Sequence, residues 1–114
     1  AGTRGLLELD WCVNLAKDDR LQSLATDLLG KKAQPVRAIL FDKVEGRNWT
    51  LGWHQDTKIA VREAKDVPGF TGWSVKEGVT HTLPPLDILE QCVALRLHLD
   101  PCPADNGPLQ VIPN

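Results

Sequence analysis

The hydrophobic positions of the chain fall into two regimes. Between residues 3 and 30, Leu6, Leu7, Leu15, Leu21, Leu24, Leu28 and Leu29 recur at spacings that suit the apolar face of a helix. Asp18 or Asp19 can cap a new helix after a break near Lys17, and Gly30 suits a C-terminal stop. The pattern predicts two helices, over 4–16 and 19–29.

Beyond residue 30 the period shortens to two. Pro35–Lys43 reads as a strand, Glu45-Gly46-Arg47-Asn48 as a turn, and Asn48–His54 as a second extended run. Thr57–Arg62 continues as strand, with Ile59 and Val61 on one face and Lys58, Ala60 and Arg62 on the other. Residues 63–82 hold Pro68-Gly69, Gly72 and Gly78 and read as a long loop. Residues 84–90 fit a short helix that opens on proline. Gln91–Asp100 is the strongest strand: Val93, Leu95, Leu97 and Leu99 share one face, and Ala94, Arg96, His98 and Asp100 share the other. A turn at Asn106-Gly107 leads into a last strand at Leu109–Ile112. Helices followed by antiparallel-looking strands predict an α+β fold in one domain of 114 residues, with helices in 1–30 and strands and loops in 31–114.

Composition narrows the function classes. Hydrophobic residues make up 42% and charged residues 25%, as in a folded globular protein rather than a disordered one. The formal charge is −2, with no basic stripe, so nucleic acid is a poor candidate partner. The apolar stretches are short and broken by charge, which predicts no membrane span, and the N-terminus lacks the pattern of a signal peptide. Cys12, Cys92 and Cys102 form no C-x-x-C pair and are expected as reduced thiols of a cytoplasmic protein. The lack of methionine and the ending at Pro113-Asn114 suggest part of a longer reading frame.

The segment Gly52-Trp53-His54-Gln55-Asp56-Thr57 carries the most chemistry. Alternate residues of an extended backbone point to the same side, so His54 and Asp56 can reach one cation while Gln55 turns away. An imidazole nitrogen and a carboxylate oxygen are two of the three protein ligands in the facial triad of non-haem iron(II) enzymes. On spacing alone, His98 and Asp100 form a rival pair, and either pair can instead be two solvated polar residues on a strand.

Beyond spacing, Val36–Lys43, the His54-Gln55-Asp56 triplet, Leu95–Asp100 and Asp105–Pro113 resemble, in order and separation, bacterial members of the phytanoyl-CoA dioxygenase family. The likeness extends to Arg4–Leu7 and to Pro68–Lys76. It implies a double-stranded β-helix, a jelly roll of the cupin kind, here partial, with N-terminal helices. It implies His54 and Asp56 as ligands of iron(II), with 2-oxoglutarate as co-substrate, dioxygen and a small molecule as reactants, and succinate as a product. In the family, Ile-Pro is normally followed by Gly-Ser-His or Gly-Thr-His, whose histidine is the third ligand; Asn114 stands where that glycine is usual. Arg96 is a candidate partner for 2-oxoglutarate, since guanidinium matches a carboxylate through two parallel hydrogen bonds. Lys43 is a second candidate for an anionic co-substrate. Trp53, Trp73, His81 and His98 are candidates to line the substrate pocket, although large aromatics commonly only pack and a loop histidine is commonly solvated. The competing expectation is an incomplete or degenerate jelly roll that binds without turnover; a cupin-like protein of another metal is a third.

Overall fold

The computed structural model describes residues 2–46 and 49–113. Among these, the N-terminal helices form close to where the sequence places them. The first predicted helix divides: Leu6–Glu8 makes a 3-10 turn, Leu9 is extended (φ −101°, ψ 126°), and α1 runs Asp10–Ala16. Helix α2 runs Asp19–Leu29. It starts on Asp18, whose Oδ1 accepts the Arg20 backbone N–H at 3.0 Å, the N-cap bond that satisfies one of the first-turn donors. The Arg20 guanidinium closes the same contact, donating from Nε and Nη2 to the two carboxylate oxygens at 3.0 and 3.2 Å. The helix ends at Gly30, in the left-handed conformation (φ 68°), whose N–H reaches the Thr26 carbonyl at 2.8 Å. Leu6, Cys12 and Ala25 are the buried hydrophobic residues these helices contribute.

Three strands form one antiparallel sheet in the order β1-β3-β2: β1 is Ile59–Val61, β2 Thr71–Lys76 and β3 Val79–Leu83. Central β3 pairs Thr82 with Ile59 and His81 with Ala60 on one edge, and His81 with Ser74 and Lys76 with Val79 on the other. The register shifts between Thr71 and Ser74, where β2 bulges. Lys58 braces the bulge, donating from Nζ to the Gly72 carbonyl at 2.6 Å and to Ser74 Oγ at 3.2 Å. Thr82, fully buried, donates its hydroxyl to the Thr71 carbonyl at 2.8 Å.

The β2–β3 hairpin corrects the loop expected over 63–82. Lys76 and Val79 pair directly, leaving the two-residue turn Glu77-Gly78 with φ of 51° and 78°. Positive φ at both central positions matches the right-handed twist of the flanking strands. Glu77 is the one non-glycine with positive φ among the described residues, and its carboxylate meets Arg4 Nη1 at 2.7 Å. The N-terminus is thereby tied to the hairpin tip, and next to it Thr3 and Leu40 exchange backbone hydrogen bonds of 2.8 and 3.0 Å.

Several expected strands do not form. Pro35–Lys43 makes only the Thr3–Leu40 bridge, residues 49–54 have no ladder, and Gln91–Asp100 and Leu109–Ile112 are unpaired. Residues 91–100 are exposed on both faces, so the cavity-lining polar face expected there is not formed. Alternation records which side of a strand is apolar, but a strand exists only where another segment takes up its N–H and C=O groups. Arg47 and Asn48, within the predicted turn, lie outside the described residues. The short helix after the prolines does form, as α3, Leu86–Leu89, and Gln91 just beyond it accepts a hydrogen bond from Lys31. The architecture is α+β, and among the described residues no helix is long and apolar enough to cross a membrane.

The unpaired segments leave the body open. Its accessible surface is 9251 Å², against roughly 6200 Å² for a monomeric domain of this mass. Its radius of gyration is 15.4 Å, against roughly 13 Å for a compact domain of this length. Leu51, Trp53, Val111 and Ile112 are among the apolar side chains left in solvent.

Two outcomes follow from the local geometry. A Cβ at Gly78 meets nothing within 4 Å, so Gly78→Ala isolates the cost of positive φ; a loss of about 1–2 kcal/mol is expected as a lowered urea midpoint. The hydrogen bonds from the Arg20 guanidinium hold the Asp18 carboxyl below its ordinary range. A depressed native pKa contributes stability above the unfolded-state value that disappears as pH falls through the native one. Helical circular dichroism is therefore expected to decline with acidification below the ordinary aspartate range, and Asp18→Asn to flatten that decline.

Candidate metal centre

His54 and Asp56 lie in the irregular segment between the bend at Trp53 and β1, and their side chains approach each other. His54 Nε2 stands 3.9 Å from Asp56 Oδ1. The other ring nitrogen, Nδ1, lies 2.8 Å from the Gly52 carbonyl oxygen. A carbonyl only accepts, so this contact favours the tautomer with hydrogen on Nδ1 and leaves the Nε2 lone pair facing the carboxylate. Metal-binding histidines are commonly oriented in this way, one nitrogen donating to a backbone carbonyl while the other ligates.

The separation suits a shared cation. With ligand distances of ~2.1 Å, two donors on one cation can be at most ~4.2 Å apart, and adjacent octahedral positions set them ~3.0 Å apart. The observed 3.9 Å lies within that limit, and the two side chains are 48% and 77% exposed. Among the described residues no third His, Cys, Asp or Glu joins them. The two side chains thus form an exposed pair at the surface.

The other candidates are dispersed. Trp53, within the expected run Asn48–His54, sits at a bend and is 68% exposed, and Trp73 is exposed on β2 rather than in a loop. Arg96 and His98, with Asp100, lie in the exposed 91–100 segment. His81, expected in a loop, is on central β3 and 2% exposed. Its Nδ1 lies 2.9 Å from the Val79 carbonyl, the same contact two residues back that His54 makes with Gly52. It lines a cavity of ≈ 130 Å³ with Arg4, Leu6, Glu8 and Arg37, which His54 and Asp56 do not line. Lys43 donates to the carbonyls of Asn106 and Gly107 at 3.2 and 2.8 Å.

Sequence reading does not pick out the Gly52 carbonyl as the group that orients His54. The contact spans the bend at Trp53, which the alternating pattern of 48–54 does not announce.

Compared with known families, residues 3–114 match the family model described as Phytanoyl-CoA dioxygenase (PhyH). No curated protein and no solved structure matches the sequence.

With two protein ligands and open coordination positions, the site is expected to bind cobalt(II) weakly. A calorimetric titration should show saturable heat that His54→Ala removes and Gln55→Ala, whose side group is not part of the pair, leaves in place.

Proposed function

Because the chain belongs to the phytanoyl-CoA dioxygenase family, whose members are generally iron(II)- and 2-oxoglutarate-dependent oxygenases, we propose that His54 and Asp56 hold iron(II). The protein then hydroxylates an unactivated C–H bond of a small molecule. The observation that supports this most directly is the 3.9 Å approach of His54 Nε2 to Asp56 Oδ1, with Nδ1 turned to a carbonyl. The proposed fold is the double-stranded β-helix; the antiparallel β1-β3-β2 sheet and the preceding helices support it. Three free thiols support a reducing compartment, the cytoplasm.

Iron(II), when bound, supplies the redox chemistry by which dioxygen converts 2-oxoglutarate to succinate and carbon dioxide and delivers an oxygen atom to the substrate. The protein's own residues supply position and charge. Asp56 offers a carboxylate that offsets cationic charge, and His54 a neutral nitrogen donor held by Gly52. Arg96 is the proposed partner of a 2-oxoglutarate carboxylate, through a guanidinium that donates two parallel hydrogen bonds. Lys43 is a supporting donor, since an ammonium has three hydrogens and the two carbonyls use two of them. Trp53 and Trp73 are proposed to exclude water from the reacting centre, and His81 and His98 to contact substrate.

A non-catalytic binding role is the second reading. It is favoured by the lack of a third ligand beside His54 and Asp56 among the described residues.

The test is oxygen-dependent succinate formation from 2-oxoglutarate by the longest polypeptide that the gene encodes, supplied with iron(II). His54→Ala is expected to lower the rate by more than ~100-fold, since even the outer partners of a metal ligand are worth 10–100-fold. Undiminished turnover in that variant rejects the assignment of the iron ligand. No turnover in the wild type, with cobalt(II) still bound, supports the binding role.

A further inference from the structure

Lys43, a supporting donor in the iron reading, also makes contacts that this reading does not use. Its ammonium donates to two successive carbonyls, Asn106 at 3.2 Å and Gly107 at 2.8 Å, across more than sixty residues of sequence. It also lies 5.3 Å from the centre of the Trp49 ring, within cation–π range. Trp49 in turn packs against Phe41 with ring centroids 6.0 Å apart. Residues 103–107 form a single 3-10 turn: the Asn106 N–H bonds the Pro103 carbonyl at 3.0 Å, and Gly107 closes it in the left-handed conformation (φ 57°). A Cβ on Gly107 would lie 2.6 Å from Lys43 Nζ, so the glycine also makes room for the ammonium. No ladder joins this turn to the sheet.

We propose that Lys43 is a positioning residue that fastens the Asn106-Gly107 turn to its own stretch of chain beside Phe41. The inference goes beyond the oxygenase reading and holds with or without bound metal. A charged donor shared between two carbonyls is stronger than a neutral one, and the aromatic ring beside it lowers its exposure to water. Removing the ammonium frees both carbonyls and, with them, the 3-10 conformation at Asn106.

The turn carries its own chemical reporter. In an Asn-Gly sequence the Gly107 backbone nitrogen can attack Asn106 Cγ. The new C–N bond closes a succinimide as the C–N bond of the carboxamide breaks and ammonia leaves. Water then opens the ring to aspartate or isoaspartate. Ring closure requires Asn106 to leave its 3-10 conformation, so the rate reads the fastening of the turn.

The experiment incubates the protein, its Lys43→Met variant and its Lys43→Arg variant, and follows Asn106 conversion by peptide mass spectrometry, with hydrogen exchange of the β2 and β3 amides measured in parallel. Conversion is expected to rise roughly tenfold in Lys43→Met, as for the loss of a charge-assisted hydrogen bond. It should stay near wild type in Lys43→Arg, which restores a cation able to donate twice, and exchange in the hairpin should be unchanged. Equal conversion in wild type and Lys43→Met overturns the proposal, as does faster conversion accompanied by equally faster exchange throughout the hairpin. Neither readout involves metal or succinate, so failure here is distinct from failure of the iron assignment.

Discussion

An extended backbone has no hydrogen bonds of its own, and that constraint shapes everything beyond residue 30. Strand β3 meets it on both edges, against β1 and β2. Its two buried polar residues are satisfied within the sheet, His81 at the Val79 carbonyl and Thr82 at the Thr71 carbonyl. Where no neighbour is present, the segment stays unpaired in solvent, as at 91–100, whatever its apolar alternation. The hairpin is therefore the rigid reference of the molecule. The metal-binding pair proposed above sits just upstream of its outer edge, where β1 begins at Ile59.

Position explains how the candidate centre combines local order with openness. The tautomer of His54 is set within its own segment by Gly52, which requires no tertiary packing. Asp56, only two residues on, approaches it to 3.9 Å. Both are short-range consequences of the sequence and survive without a surrounding barrel. A third ligand and a dry cavity are long-range properties, and they depend on strands packing face to face.

Legibility divides along the same line. The boundaries of α2 are readable because Asp18 and Gly30 act on their immediate neighbours. The approach of His54 to Asp56 is readable because two-residue spacing is enough to align them. The hairpin escapes a sequence reading because Glu77-Gly78 is not among the commonest two-residue turns and Gly72 and Gly78 resemble loop punctuation. Glu77 tolerates positive φ with Arg4 beside it, a partner 73 residues away that no local rule reveals. The segment 91–100 misleads for the opposite reason: its pattern is strong and its pairing is absent. Lys43 as a brace on a distant turn is legible only in three dimensions, since a lysine at the end of an extended run looks like an ordinary surface charge.

The Arg4–Glu77 contact also bears on how the polypeptide is made. Thr3 and Arg4 leave the ribosome before their partners, Leu40 and Glu77. Arg4 has to wait for 73 more residues before its counterion exists. During that interval the α1 and α2 segments can already coil, since helices form on submicrosecond timescales whereas translation adds about 5–20 residues per second. The arm around Thr3 and Arg4 is thus synthesised before the hairpin that secures it, and in a nascent polypeptide it remains open to proteases and chaperones until Glu77 has emerged.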